Sequence, residues 1–318
     1  MSRISLRKIL TGLVLAAGLA TAASASTPSY SNMYVFGDSL SDSGNVFALT
    51  SGTYPPAPYW NGRFSNGPTY AEDLAGMLGL AATPSLFPGG TNYAFGGATA
   101  APGSNIGGVY PTDLGTQVTA FRALSGPADP NALYVVWAGA NDMRNNPTGP
   151  GIVGAQTGLS GAIQGLYAEG ARDFLVMNLP DLGLTPEATH HGINAQATLL
   201  SATYNSFFDL TIGSLRGGLA GSDIRTLDTF ALLNTVVAHP GAYGLTNVTD
   251  DCILAGAACT PGSYLFWDEI HPTAVVHTFI AGAAYEVLAV PEPETYAMLL
   301  AGLGLLGFVA RRRQQRVI

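Results

Sequence analysis

The sequence predicts an α/β fold built on a parallel sheet. Short apolar runs bounded by Gly, Pro, Asn or Asp alternate with longer segments whose apolar residues recur at helical spacing. This alternation is typical of strands joined by right-handed helical crossovers in one domain. The candidate strands are Met33–Phe36, Thr91–Phe95, Leu133–Trp137, Phe174–Asn178 and Ile224–Leu227.

Three segments are candidate helices. Residues 69–80 place leucines and a methionine on one face, and residues 194–215 form a longer amphipathic segment. Residues 272–288 begin with a proline, which the first turn of a helix tolerates. Residues 50–66 are instead rich in Pro, Gly and aromatic side chains, and we expect an ordered excursion that shapes a substrate entrance.

Residues 1–25 have the three parts of a secretory signal peptide. Arg3, Arg7 and Lys8 precede a short apolar run, which ends in the small residues Ala-Ser-Ala. We therefore expect cleavage after Ala25. The alternative is an N-terminal membrane anchor, for which the apolar run is short.

The last segment, residues 290–318, has a different pattern. A Pro-Glu-Pro triplet precedes the uncharged apolar stretch Tyr296–Ala310, and three arginines follow it. Fifteen residues rise about 22 Å as a helix, so the stretch forms a transmembrane helix only if its flanks join it. This order resembles the PEP-CTERM sorting signal, which implies processing by an exosortase and release to the cell envelope or extracellular matrix of a Gram-negative bacterium. The alternative is a plain C-terminal anchor.

The charge of the remaining body, residues 26–289, disfavours binding to nucleic acid. Seven of the 13 basic residues lie in the two ends, which leaves 6 basic against 19 acidic residues and a net charge of −13. A body of this charge is repelled by phosphate backbones and by anionic lipid surfaces. We expect residues 26–289 to be a single secreted domain and a monomer.

Two cysteines, Cys252 and Cys259, lie in this exported body. Their close spacing in an oxidising compartment favours one local disulfide. A metal pair is disfavoured, because no further ligands lie near them in the sequence.

The stretch FGDSLSDSGN follows the first candidate strand and contains a candidate nucleophile. A serine just after a strand can offer its own backbone N–H, and a helix N-terminus, to a developing oxyanion. Ser39 has this position, whereas Ser41 and Ser43 lie further on and are better explained as local hydrogen-bonding residues. The stretch lacks the second glycine of the G-x-S-x-G elbow, and its acids do not follow a calcium-loop register.

A serine nucleophile requires a base, and the histidines differ in their neighbours. Asp268 precedes His271 by three residues, so one compact turn can present the carboxylate to one ring nitrogen and leave the other for Ser39. The other four histidines lack such a partner. His190 and His191 lie in a polar segment, His239 precedes a proline, and His277 follows within the helix.

Four blocks occur in the order GDSLSDSGN, NYAFGGAT, GAND and DEIH, and three of them follow candidate strands. This set resembles the GDSL, or SGNH, family of serine esterases and lipases, from Phe36 to His271. The resemblance implies that Ser39, His271 and Asp268 form a catalytic triad and that Ser39, Gly97 and Asn141 supply the oxyanion hole. It also implies a three-layer α/β/α, flavodoxin-like fold with a five-stranded parallel sheet of order 2-1-3-4-5.

The function expected is a secreted carboxylic ester hydrolase that acts through an acyl-enzyme, with an acyl-ester substrate and neither cofactor nor metal. One alternative is a non-catalytic matrix or binding protein that retains the fold. Another is a metal-dependent hydrolase that uses carboxylates of the first and last blocks with His271. Acyl-chain length, the alcohol, and hydrolysis against acyl transfer stay open, as do acetylated polysaccharide, short-chain esters and lipids as substrates. Asp42, Asn45, Asp142 and Trp137 are expected to be structural.

Overall fold

The computed structural model describes residues 28–289. The predicted signal peptide and the predicted sorting segment, residues 290–318, lie outside this range. Within it, none of the helices combines the length and the apolar character that crossing a bilayer requires.

The described residues contain strands and helices in alternation, as predicted. The strands are β1 (Met33–Gly37), β2 (Asn105–Ile106), β3 (Tyr110–Pro111), β4 (Leu133–Trp137), β5 (Asp173–Met177), β6 (Asp223–Leu227), β7 (Asn247–Asp251) and β8 (Tyr264–Phe266). The helices are α1 (Asn45–Leu49), α2 (Tyr70–Met77), α3 (Leu114–Ser125), α4 (Ala140–Asn145), α5 (Gly149–Glu169), α6 (Pro186–His190), α7 (Asn194–Gly218), α8 (Thr229–Ala238), α9 (Cys252–Ala255) and α10 (Ala274–Ala289).

Four of the five candidate strands form one parallel sheet in the order β1-β4-β5-β6. Val35 lies beside Val135, and the register continues through Leu175 to Arg225. The prediction of a parallel α/β sheet is confirmed. Because the carboxyl ends of parallel strands share one edge, the loops after β1 and β4 meet there.

The prediction of a five-stranded sheet is wrong, because the continuous parallel sheet within residues 28–289 has four strands. The fifth candidate, Thr91–Phe95, runs beside β1 and donates to it from Tyr93 N and Phe95 N, but it makes only a single isolated bridge to it. The ladder stops because Gly37 N donates instead to Gln117 Oε1 at 2.8 Å. This segment is therefore an irregular edge next to β1, on the side where the expected order places it.

Apolar side chains cover both faces of the sheet. One face, with Phe36, Val136 and Val176, packs against α3, α5 and α7. The other, with Val35, Val135 and other strand residues, packs against α2, α8 and α10. Helices on both faces give the predicted three layers.

The three candidate helices are confirmed as α2, α7 and α10, with boundaries that differ by a few residues. Cys252 and Cys259 are paired, so the expected local disulfide is confirmed. It closes the short segment between β7 and β8.

Candidate active site

The loop after β1 presents Ser39 at the carboxyl edge of the sheet. Gly37 closes the strand against β4, where an added Cβ would lie 2.3 Å from Trp137 O, so only glycine fits without displacing the backbone. After it, Asp38 O accepts hydrogen bonds from the amides of residues 41 and 42, both at 3.0 Å, which turns the chain sharply. Ser39 therefore lies on a tight turn that is anchored in the sheet.

His271 lies within hydrogen-bonding distance of Ser39. Its Nε2 is 2.8 Å from Ser39 Oγ, and its Nδ1 is 2.6 Å from Asp268 Oδ2. Asp268 Oδ1 accepts from the amides of Ile270 and His271 at 2.9 and 2.7 Å. Asp268 and His271 thus form the compact turn that their three-residue spacing predicts. The fold brings His271 against Ser39, which lies 232 residues earlier in the chain.

The surroundings of Asp268 keep this carboxyl ionised. Burial by itself raises its pKa, but the charge of His271, the hydrogen bond from His271 and a hydrogen bond from Tyr59 together lower it to about 2. A carboxylate can only accept hydrogen bonds, so the Nδ1 of His271 carries the proton and Nε2 is free to accept from the Ser39 hydroxyl.

Three N–H donors belong to residues that line the cavity at Ser39. The amides of Ser39 and Gly97 have no hydrogen-bond partner within residues 28–289. Asn141 Nδ2 donates to Ala98 O at 2.9 Å and keeps a second N–H for another acceptor. Gly97 has a φ of 78°, a left-handed conformation that favours glycine.

All five predicted site residues line one open cavity of about 330 Å³: Ser39, Gly97, Asn141, Asp268 and His271. Three loops and the first turn of α4 supply them. An acyl carbon placed against Ser39 Oγ would thus have His271 beside it, within a cavity that Gly97 and Asn141 also line.

Buried carboxylates and an amide hold these loops in place. Asp42 accepts from four backbone amides, including Gly96 N at 2.9 Å, next to Gly97. Asn45 donates to Asn92 O and to the carbonyl of residue 94. Asp142 accepts from the amides of residues 100 and 101. These contacts agree with the structural roles expected of Asp42, Asn45 and Asp142.

The serines and histidines set aside on sequence grounds lie in other surroundings. Ser41 Oγ is 2.9 Å from the hydroxyl of Tyr70, and Ser43 Oγ donates to Ala82 O. His190 pairs with Glu269 at the surface. His277 is buried, which lowers its pKa to about 3, and its Nδ1 accepts from the Tyr70 amide.

The residues proposed for a metal-dependent alternative do not converge. The Asp42 oxygens accept from backbone amides, and those of Asp268 face His271, Tyr59 and two amides. Between residues 28 and 289, no three His, Cys, Asp or Glu side chains are grouped as a metal site requires.

Sequence reasoning missed two features of the site. One is Tyr59, whose hydroxyl donates to Asp268 Oδ2 at 2.6 Å across 209 residues. The only signal for it is the aromatic excursion 50–66. The other is a second, narrow cavity of about 90 Å³ that also reaches Ser39 and His271 and whose lining is mostly apolar, with six of the apolar side chains from α8 and α10.

Comparison with known families gives two matches. Residues 33–284 match the family described as GDSL-like Lipase/Acylhydrolase. Residues 289–313 match the PEP-CTERM protein-sorting motif, which indicates an exported protein sorted to the cell surface and implies processing by an exosortase. Both resemblances expected from the sequence are confirmed.

Individual relatives agree with the first match. The chain is 27% identical to a phosphatidylcholine-sterol acyltransferase of Aeromonas hydrophila, over 88% of this chain and 98% of the relative. It is 31% identical to esterase EstA of Pseudomonas aeruginosa over 92% of this chain, which spans about half (52%) of that esterase. An acetylxylan esterase of Geobacillus stearothermophilus superposes on 83% of this chain and 97% of its own with 14% identity and a TM-score of 0.40, too loosely to bear on function.

Proposed function

Because this chain belongs to the GDSL-like lipase/acylhydrolase family, a family of ester hydrolases, we propose that it cleaves carboxylic esters through an acyl-enzyme formed on Ser39. The observation that carries the proposal is the continuous contact from Ser39 Oγ through His271 to Asp268, with distances of 2.8 and 2.6 Å. A serine hydroxyl becomes an effective nucleophile when a base so placed removes its proton.

The proposed reaction has two halves. Ser39 Oγ attacks the ester carbonyl while its proton passes to His271 Nε2, and Asp268 stabilises the imidazolium that results. Collapse of the tetrahedral intermediate expels the alcohol, which takes the proton from His271. A water then attacks the acyl-enzyme and gives a proton to His271. Collapse of the second tetrahedral intermediate breaks its bond to Ser39 Oγ, which takes the proton back from His271, and the carboxylic acid is released.

The oxyanion of each tetrahedral intermediate needs convergent donors. We assign the role of oxyanion donors to the backbone amides of Ser39 and Gly97 and to the side-chain amide of Asn141. The unpartnered state of the two backbone amides within the described residues supports this assignment. Donors that are already oriented cost no reorganisation during the reaction.

Acyl transfer is a second candidate function, which the acyltransferase of Aeromonas hydrophila favours by its match over 98% of its length. In that reaction an alcohol takes the place of water in the second half. The two functions share the acyl-enzyme, and they differ only in the acceptor. Product analysis with ester and added alcohol separates them, since a transferase forms a new ester and a hydrolase forms free acid.

We also propose a division of the chain into a signal peptide (1–25), the hydrolase domain (26–289) and a processed sorting segment (290–318). The match of residues 289–313 to the sorting motif supports the last boundary. The substrate would then be met in the cell envelope or the extracellular matrix of a Gram-negative bacterium.

The mature protein is expected to hydrolyse a short-chain p-nitrophenyl ester at the same rate with and without EDTA. The proton transfers run between Ser39 and His271, so no step depends on a metal ion. Initial rates after dialysis against EDTA, with a control in which the chelator is saturated by calcium, measure this. A rate that falls with EDTA and returns on addition of a divalent cation would favour the metal-dependent mechanism instead.

A further inference from the structure

Two cavities of different character meet at Ser39. The open one, of about 330 Å³, is lined by Tyr54, Glu187 and Glu269 among other polar groups. The narrow one, of about 90 Å³, is hereafter the acyl chamber. Ser39 and His271 line both cavities, so a substrate bound at the nucleophile extends one part into each.

The lining of the acyl chamber is apolar. α8 and α10 each contribute three of its apolar side chains: Leu232, Leu233, Val236, Val276, Phe279 and Ile280. Its ionisable groups besides His271 are Arg144, which is paired with Glu187, and Asp38. Burial raises the pKa of Asp38 to about 7, so this carboxyl holds a proton at a pH where an exposed carboxyl is fully charged. A cavity with such walls stays largely dry and accepts apolar groups.

We propose that the acyl chamber binds the hydrocarbon chain of the ester substrate and that the alcohol portion occupies the open cavity. The proposal rests on the proposed function, and it names the substrate class as esters of aliphatic acids longer than acetate. After attack, the acyl group stays bonded to Ser39 Oγ while the alcohol leaves. A narrow, mostly apolar site suits the part that stays, and a more open, polar site suits the part that departs.

The test compares p-nitrophenyl esters of increasing acyl length. For wild type, kcat/KM is expected to rise about fourfold per methylene from acetate until the chamber is full. Val236→Phe fills the chamber, and we expect it to lower kcat/KM for hexanoate at least about tenfold while acetate hydrolysis persists. Ile280→Ala enlarges it and is expected to move the optimum to longer chains.

Ala238→Phe is the matched control, because Ala238 is exposed on the same helix and does not line the chamber. Acetate turnover shows that each variant is folded. An unchanged hexanoate-to-acetate ratio in both Val236→Phe and Ile280→Ala would overturn the chamber, with the proposed function intact. A wild-type protein that hydrolyses none of the esters would instead contradict the proposed function.

An independent observation concerns Asp268. The Tyr59 hydroxyl donates to Asp268 Oδ2, the oxygen that also lies 2.6 Å from His271 Nδ1. The Tyr59 ring packs edge-on against Trp267 and near Phe64, at centroid distances of 6.4 and 6.3 Å. The hydroxyl is thus fixed by its ring as well as by its hydrogen bond.

The excursion that carries Tyr59 is tied to the chain around His271. Ser65 Oγ donates to Pro272 O at 2.8 Å, and Asn66 Oδ1 accepts from the amide of Ala274 at 2.8 Å. Tyr59 therefore approaches Asp268 from a segment that is itself anchored next to the histidine.

We infer that Tyr59 is a positioning residue that fixes the Asp268 carboxylate and shares its negative charge with His271. This inference also rests on the proposed function. Burial, and then the hydrogen bond to Asp268, raise the pKa of Tyr59, so its hydroxyl stays a donor throughout the working pH range. The ionisable groups around this pair, besides His271, are Asp38, Tyr54, Arg144, Glu187, Asp251 and Glu269.

Tyr59→Phe keeps the ring and removes the donor. More of the carboxylate charge then faces the imidazolium of His271 and stabilises it. We expect the acid limb of kcat/KM to move up by about half a pH unit, and kcat at neutral pH to fall severalfold.

If Tyr59 had only a structural role, Tyr59→Phe would lower the melting temperature and leave the acid limb of kcat/KM unchanged. Tyr54→Phe is the matched control, since Tyr54 lines the same cavity and its hydroxyl makes no hydrogen bond to Asp268. Its acid limb is expected to coincide with that of wild type. A folded Tyr59→Phe protein with an unmoved limb would overturn the inference, and an inactive wild type would instead refute the proposed function.

Discussion

Ser39→Ala is expected to lower kcat/KM for a carboxylic ester by at least about 10⁴-fold. The substitution removes the oxygen that lies 2.8 Å from His271 Nε2 and leaves the base without a nucleophile to activate. Steady-state rates with a short-chain p-nitrophenyl ester measure the loss. Mass spectrometry of a quenched reaction adds a direct readout, since we expect the wild type to carry an acyl adduct that the variant lacks.

Ser43→Ala is the control for this experiment. Ser43 lies in the same loop and is fully buried, and its hydroxyl donates to Ala82 O at 2.7 Å. Its loss is expected to destabilise the fold by about 1–3 kcal/mol and to leave the rate per folded molecule near that of wild type. Residual turnover in Ser39→Ala comparable to that of Ser43→Ala would contradict the assignment of the nucleophile.

Asn141→Ala is expected to lower kcat by about 10²–10³-fold with a much smaller change in KM. The amide N–H that remains after the bond to Ala98 O would stabilise charge that exists only in the tetrahedral intermediate. Removing it therefore raises the barrier more than it weakens the binding of the ground-state ester. Separate values of kcat and KM for one ester test this distinction.

Asn145→Ala provides a matched control from the same short helix, α4. Asn145 has the same side chain, is exposed, and lines neither of the two cavities at Ser39. We expect its kinetics to match those of wild type. An equal loss in both variants would trace the effect to the helix, and a loss confined to KM in Asn141→Ala would assign the amide to substrate binding.

The sheet and the hydrogen-bonded chain at Ser39 were predictable because their signals are local. Each buried strand is a short apolar run, and the Asp268–His271 turn is encoded by a three-residue spacing. The irregular edge at Thr91–Phe95 was not predictable, because the ladder is interrupted by the side chain of Gln117, 80 residues from Gly37. The residues of Thr91–Phe95 themselves give no indication of the contact between Gly37 and Gln117.

Helix α5 was missed for a related reason. Six glycines within its 21 residues contradict helical propensity. Tertiary contact explains one of them, since a Cβ on Gly158 would lie 1.9 Å from Ala100 O. Because Gly158 has no side chain, the loop after Gly97 can pack directly against the surface of α5. Tyr59 is a comparable case, because a contact across 209 residues is invisible in the sequence around it.

The distance along the chain between Ser39 and His271 has a consequence for when the protein becomes active. These side chains are 232 residues apart, and the bonds from Ser65 and Asn66 to residues 272–274 span a similar separation. Contacts between residues so far apart in the sequence form late in folding, because the entropy cost of closing the intervening loop must be overcome first. During export, a chain that emerges from its N-terminus would thus present Ser39 before His271. If the proposed mechanism holds, the protein would be able to attack an ester only when the last part of the domain has emerged and folded.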